Sequence, residues 1–286
     1  MRIAHVRDRA VLVTGDQVGI DIAQASGERF GPSITSLYED WPEFSAWAER
    51  APQGPMVRFA AAELAAPSPA PKQVFAIGLN YGDHAAEAGL TPPEEPAVFT
   101  KFVSSFTGPV TEVALPATTV DWEVELVVVM GREATRVRAA DAWRYVAGLT
   151  VGQDLSERRL QHVGTPAQFS LAKSYPGFSP TGPFLVTPDE VADPRDLRLG
   201  CTLNGEEVQK GRTSQLVFGV EALVERLSAV TTLYPGDVIF TGTPSGVGAA
   251  RTPPRFLSPG DELISYVEGI GELRQRFVAP ASSEES

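Results

Sequence analysis

A β-rich α+β fold is what this sequence predicts: a large mixed-sheet domain preceded by a small N-terminal α+β domain. Three observations carry the prediction. Short apolar, β-branched runs recur between turn residues, near 97–102, 122–130, 145–152, 183–187, 198–203, 237–241 and 262–268. One segment alone, 219–229, has the spacing of a clear amphipathic helix, with Val220, Leu223, Val224 and Leu227 on one face. The stretch from Ala65 to Pro71 is rich in Pro and Ala and reads as a linker. It divides the chain into a domain at 1–66 and a larger one at 71–280. The polar tail, 281–286, is expected to be disordered.

Within the first domain, 2–6 and 10–14 alternate as antiparallel strands. Gly15-Asp16 turns the chain toward a third strand at 18–22, and 33–50 carries mixed helical signals. After the linker, 73–77 is a short buried strand. The loop Gly78–Asp83 follows, then a short helix over 84–88, which Asp83 can cap and Gly89 with Pro92-Pro93 ends. Asn204-Gly205 signals a tight hairpin between two later strands.

Composition narrows the function classes. The 286 residues carry 24 basic and 36 acidic side chains, a formal charge of −12, which argues against a general nucleic-acid or anionic-membrane surface. One cysteine, Cys201, rules out an internal disulfide and fits a reducing cytoplasm. No apolar leader and no membrane span are expected.

The most informative residues are acidic. Glu123 and Glu125 sit in Asp121-Trp-Glu-Val-Glu-Leu-Val-Val-Val-Met130, otherwise almost wholly apolar, and Asp154 follows the next strand. Residues two apart on a strand share a face, so two carboxylates there should repel and resist desolvation. A bound cation removes both problems. Three carboxylates with no His or Cys beside them suit Mg²⁺ or Mn²⁺ rather than zinc. The plainer reading is that the two glutamates lie at a strand end and pair with arginines.

Four further constellations surround this one. His84 and Glu87, at i and i+3, share a helical face, as a general base and the carboxylate that orients it would. Their helix, flanked by Gly78, Gly82 and Gly89, has the make-up of a lid. A turn or helix opening at Asp154 would bring Arg158 and Gln161 to the same side, a cation and an amide for a substrate carboxylate. Lys173, held near a dication, would have a lowered pKa and could shuttle a proton. The loop 240–248 is Gly-rich but lacks the lysine of a phosphate loop. It reads instead as offering the Thr243 hydroxyl and backbone N–H groups to a carboxylate.

Taken together, five motifs resemble, in order and spacing, the fumarylacetoacetate hydrolase (FAH) family. They are Gly78-Leu-Asn-Tyr with His84-x-x-Glu87; Glu123-x-Glu125; Asp154-x-Ser-x-Arg158-x-x-Gln161; Lys173-Ser with Pro180-x-Gly-Pro183; and Pro235-Gly-Asp-Val-Ile with Gly242-Thr-Pro-x-Gly-Val-Gly248. The resemblance spans about 70–278 and implies a mixed β-roll, usually a homodimer, using Mg²⁺ or Mn²⁺ on 2-oxo acids and their enols. It implies Glu123, Glu125 and Asp154 as metal ligands, His84 and Glu87 as the lid dyad, and Arg158, Gln161, Lys173 and Thr243 at the substrate. Gln153 and Tyr175-Pro176 depart from the common pattern and bear on substrate identity.

The expected activity is hydrolytic C–C cleavage of 2,4-dioxo acids of the acylpyruvate or fumarylpyruvate type, releasing pyruvate. His84, oriented by Glu87, would activate water, and Lys173 would steady the enolate or deliver a proton. Alternatives on the same site are an oxaloacetate-type decarboxylase and a 2-hydroxyhepta-2,4-diene-1,7-dioate-type isomerase. A non-catalytic metal-dependent binder of small acids is a further class, which would leave the dyad without a task.

Overall fold

A computed structural model describes residues 1–87 and 89–280; Ala88 and the tail expected to be disordered, 281–286, lie outside the described residues. The N-terminal region forms β1 (Arg2–Val6), β2 (Arg9–Gly15), β3 (Val18–Asp21), α1 (Ile22–Ala25), α2 (Ile34–Glu39), α3 (Trp41–Ala48), β4 (Met56–Arg58) and β5 (Leu64–Ala65). Beyond it come β6 (Val74–Gly78), α4 (Gly82–Glu87), β7 (Ala97–Phe99), β8 (Phe106–Thr107), β9 (Val110–Ala114), β10 (Val120–Asp121) and β11 (Val124–Met130). The chain continues through β12 (Val146–Gln153), β13 (Ser156–Glu157), α5 (Arg158–Gln161), β14 (Ser179–Val186), β15 (Arg198–Leu203) and β16 (Glu206–Arg212). It ends with α6 (Val220–Val230), β17 (Val238–Phe240), β18 (Glu262–Val267) and β19 (Gly271–Val278).

Mixed sheets dominate, as the sequence predicts. The largest runs β4-β3-β2-β1-β14-β12-β11-β17-β6-β7, with β5 and β8 attached at its side. Most neighbours are antiparallel, but β17 and β6 are parallel. A second sheet, β16-β15-β18-β19-β9, packs over the first. Asn204 and Gly205 take φ of 53° and 83°, the left-handed pair that a two-residue hairpin requires, and join β15 to β16.

Every residue of β11 is buried because both of its faces are covered. Leu126, Val128 and Met130 pack with Leu199, Leu263, Phe277 and the α6 residues Leu223 and Val224. Val127 and Val129 pack on the other side with Phe240, Leu185, and Ile34, Leu37 and Phe44 of the N-terminal helices. No helix among the described residues is long and apolar enough to cross a membrane.

Candidate metal centre and active site

Strand pairing gathers the acidic residues. Val124 of β11 stands opposite Gln153 of β12, so the residues just outside the ladder, Glu123 and Asp154, also meet. The Asp154 N–H donates to the Glu123 carbonyl at 2.9 Å. Glu125 lies two residues along from Glu123, at the start of β11. The carboxylate oxygens of Glu123, Glu125 and Asp154 lie within 4.8 Å of one another, and all three residues are buried. An oxygen-only set of this kind fits a hard dication.

Cations surround the cluster unevenly. Lys173 Nζ donates to Glu123 Oε2 at 2.8 Å and Asp154 Oδ2 at 2.7 Å. Lys101, which the sequence reading did not single out, donates to Asp154 Oδ1 at 2.6 Å and to the Lys173 carbonyl. Arg158 Nη1 lies 2.7 Å from Glu123 Oε1, as the plainer arginine-pairing reading anticipates for that glutamate. Glu125 has no ion pair among the described residues; its Oε2 accepts the Gly242 N–H at 2.7 Å. Gly242 takes φ of 103°, and a Cβ there would lie 2.7 Å from Asn80 Cβ, so only glycine brings this N–H to the carboxylate.

The electrostatic consequences differ from group to group. Burial, then the charges of Asp154 and Glu123, push the Glu125 carboxyl well above its usual range. Burial disfavours ionised Glu123 too, but Lys173, Arg158 and His84 outweigh it and hold its pKa below the usual range. Burial lowers Lys101, only partly opposed by Asp154. For Lys173 burial also pulls down, yet Asp154 and Glu123 prevail and raise its pKa. That corrects the expected lowering: the carboxylates crowding Lys173 keep it a firm ammonium.

Arg158 and Gln161 come together, with Nη1 donating to Gln161 Oε1 at 2.8 Å. The helix that carries them does not open at Asp154. Ser156-Glu157 first pairs with β10, and Glu157 caps α5 by accepting the Arg159 and Leu160 N–H groups. Arg158 Nη2 is buried without a partner. Asp121, also missed in the sequence reading, fixes this arginine and the Gly-rich loop at once. It accepts Arg158 Nε at 3.0 Å and the N–H groups of Gly248 and Ala249, each at 2.7 Å.

His84 and Glu87 face each other on α4, with Nδ1 and Oε2 3.4 Å apart. Glu87 also accepts the Gly246 N–H at 3.0 Å, and Ser245 Oγ donates to Asp83 at 2.9 Å, so α4 is docked on the Gly-rich loop. A cavity of about 400 Å³ opens between them, lined by His84, Glu87, Glu123, Arg158, Gln161 and Lys173 among others. Thr243 is not on this wall. Its hydroxyl donates to the Val124 carbonyl at 2.9 Å and accepts from Gln209 at 2.8 Å, a use that ties the loop to β11. The two departures from the family pattern are structural: Gln153 accepts the Glu123 N–H at 2.9 Å, and Tyr175 packs on Phe178.

Fold and site define a class: mixed-sheet proteins that bury three carboxylates beside a His-Glu helix. The chain belongs to the fumarylacetoacetate (FAA) hydrolase family, whose C-terminal domain profile matches residues 73–278. It is 41% identical over 285 residues to the human protein named oxaloacetate tautomerase FAHD2A, mitochondrial, covering 96% of this chain and 91% of that one. A Mycobacterium smegmatis crystal structure, provisionally named HpcE, superposes with a TM-score of 0.94 at 58% identity, covering 98% and 99% of the two chains. Maleylpyruvate hydrolase from Sphingobium sp. SYK-6, in complex with manganese(II) and pyruvate, gives a TM-score of 0.80 at 28% identity, covering 98% and 100%.

Proposed function

We propose that this protein is a Mg²⁺- or Mn²⁺-dependent enzyme that moves a proton at C3 of short 2-oxo acids of the oxaloacetate class, interconverting their keto and enol forms. The observation that carries the reading is the likeness to an oxaloacetate tautomerase over nearly the whole of both chains. The sequence alone put C–C hydrolysis first, because a base dyad stood beside an electron sink. A tautomerase needs the same two parts and no attacking water.

Glu123, Glu125 and Asp154 would hold the cation, which supplies positive charge against a developing enolate. Arg158, through its unpartnered Nη2, and Gln161 bind a substrate carboxylate. Lys173, kept as an ammonium, donates a hydrogen bond to the 2-oxo oxygen as it gains charge. His84 takes the C3 proton and returns it, with Glu87 holding the ring.

Hydrolysis of acylpyruvates is the second reading. The His84-Glu87 dyad at the cavity wall would activate water, and the manganese- and pyruvate-bound hydrolase shares the fold. Decarboxylation of oxaloacetate needs only the cation and Lys173; isomerisation of a dienedioate would use the same proton transfer. A cytoplasmic homodimer completes the proposal: Cys201 is a free buried thiol, and Val98, Phe102 and Val103 are exposed near the edge strand β7.

The deciding experiment follows decay of enol-oxaloacetate by absorbance and pyruvate release from oxaloacetate and from acylpyruvates, with either cation. Enol decay should dominate and fall about 100-fold or more in His84→Ala. Faster pyruvate release from an acylpyruvate than enol turnover would install the hydrolytic reading instead.

A further inference from the structure

The cavity changes character with depth. At its floor are Glu123 and Lys173, 6% and 2% exposed, with Arg158 beside them. Nearer solvent the wall becomes apolar: Leu79, Leu90, Phe99, Phe169 and Val247. Leu90 is 53% exposed, and Phe99 and Phe169 meet edge-to-face with centroids 5.7 Å apart. Phe169 is held by a local turn, in which the Ser170 N–H and hydroxyl both donate to Gln168 Oε1. The Ser170 hydroxyl in turn accepts the Thr100 N–H at 3.3 Å, just beyond β7.

The charges on this wall are sorted in the same way. Its lysine and arginine are both committed to floor carboxylates: Lys173 to Glu123 and Asp154, Arg158 to Asp121 and Glu123. The ionic group away from the floor is Glu87, a carboxylate. A substrate carboxylate placed far from the 2-oxo acid end would therefore meet Leu90, Phe169 and a like charge. A four-carbon diacid, seated on the floor, fills only part of about 400 Å³.

Resting on the 2-oxo acid reading of the floor, we infer that the upper cavity selects an uncharged apolar extension of the substrate, with Phe169 and Leu90 as the specificity-determining residues. The preferred substrates are 2-oxo acids bearing an alkyl or acyl chain of several carbons. Long diacids ending in a remote carboxylate are poor ones.

N-alkyloxamates test this without turnover, since oxamate copies the carboxylate and 2-oxo oxygen and the alkyl group copies the extension. Titration calorimetry on the manganese-loaded protein should show Kd falling about threefold to fourfold per added methylene over the first few. A terminal carboxylate on a chain of equal length should cost about tenfold or more. Phe169→Ala and Leu90→Ala should each flatten the chain-length series, and neither removes a core contact. If oxamate and every derivative fail to bind, the 2-oxo acid reading itself falls. If oxamate binds with no dependence on chain length, or the carboxylated chain binds better, this inference is overturned while that reading survives.

Discussion

Glu125 is the acidic residue of the centre with no ammonium or guanidinium against it, and its neighbours make ionisation costly. In the absence of a cation it gains by being neutral. Glutamine is neutral at every pH and keeps an oxygen for the Gly242 N–H. Glu125→Gln should therefore melt no lower than the wild type without metal, yet lose the thermal shift that Mn²⁺ produces. A metal-free variant melting well below the wild type would show that Glu125 has a structural partner. Asp121 behaves oppositely. It is fully buried and accepts four donors, counting the Trp122 N–H at 2.7 Å. Asparagine would turn an NH₂ toward N–H groups and strip Arg158 of a countercharge. Asp121→Asn should cost about 2–4 kcal/mol in denaturant unfolding and raise KM more than it lowers kcat. The three metal-ligand candidates were legible because charge is conspicuous in an apolar run. Lys101 and Asp121 were not: a lysine after a three-residue strand and an aspartate before a tryptophan look solvated until the tertiary fold closes over them.

At the scale of elements, legibility followed burial. β11 reads plainly because both faces are apolar. β19 was missed because it alternates charged Glu272, Arg274 and Arg276 with an inward set that includes polar Gln275, whose burial depends on the Pro109 carbonyl it meets. β9 was missed because its partner is β19, far away in sequence. The start of α5 was misplaced because Glu157, not Asp154, caps it. A similar cap operates at α1, where Asp21 accepts the Gln24 N–H at 3.0 Å and pairs with Arg9 of β2 at 2.5 Å. The bond from Arg9 lowers the Asp21 pKa against the opposing effect of burial. A folded-state pKa below the unfolded one gives stability that is complete above about pH 4 and disappears as pH falls through the folded value. Arg9 is partly exposed, so the pair is screened and the expected loss in Asp21→Asn is about 1–2 kcal/mol near neutral pH. That difference should shrink toward zero below about pH 3, as denaturant titrations across the range would show. A penalty independent of pH would assign it to packing instead.

For the whole molecule, strand order was the least legible property, because hydrophobic patterning says which face is buried and not what covers it. The N-terminal strands continue the sheet that carries the site: Arg2 and Ile3 of β1 pair with Val186 and Leu185 of β14. Ile3, Ile22, Ile34, Leu37 and Phe44 are buried against the face formed by Val127, Val129, Leu185 and Phe240. Burying a large apolar side chain is worth about 1.5–3 kcal/mol, so those five alone contribute on the order of 10 kcal/mol. That is comparable to the entire stability of an ordinary domain, about 5–15 kcal/mol. The family profile, beginning at residue 73, stops short of this layer. A chain beginning at residue 67 should therefore lack a cooperative thermal transition, bind a hydrophobic dye and lose Mn²⁺ binding, because β11 would be stripped on one side. Adding the 1–66 fragment in trans should restore part of all three. If the shortened chain instead melts cooperatively and binds Mn²⁺ as tightly as the full protein, the layer is dispensable, and β11 is held by the five-stranded sheet and α6 alone.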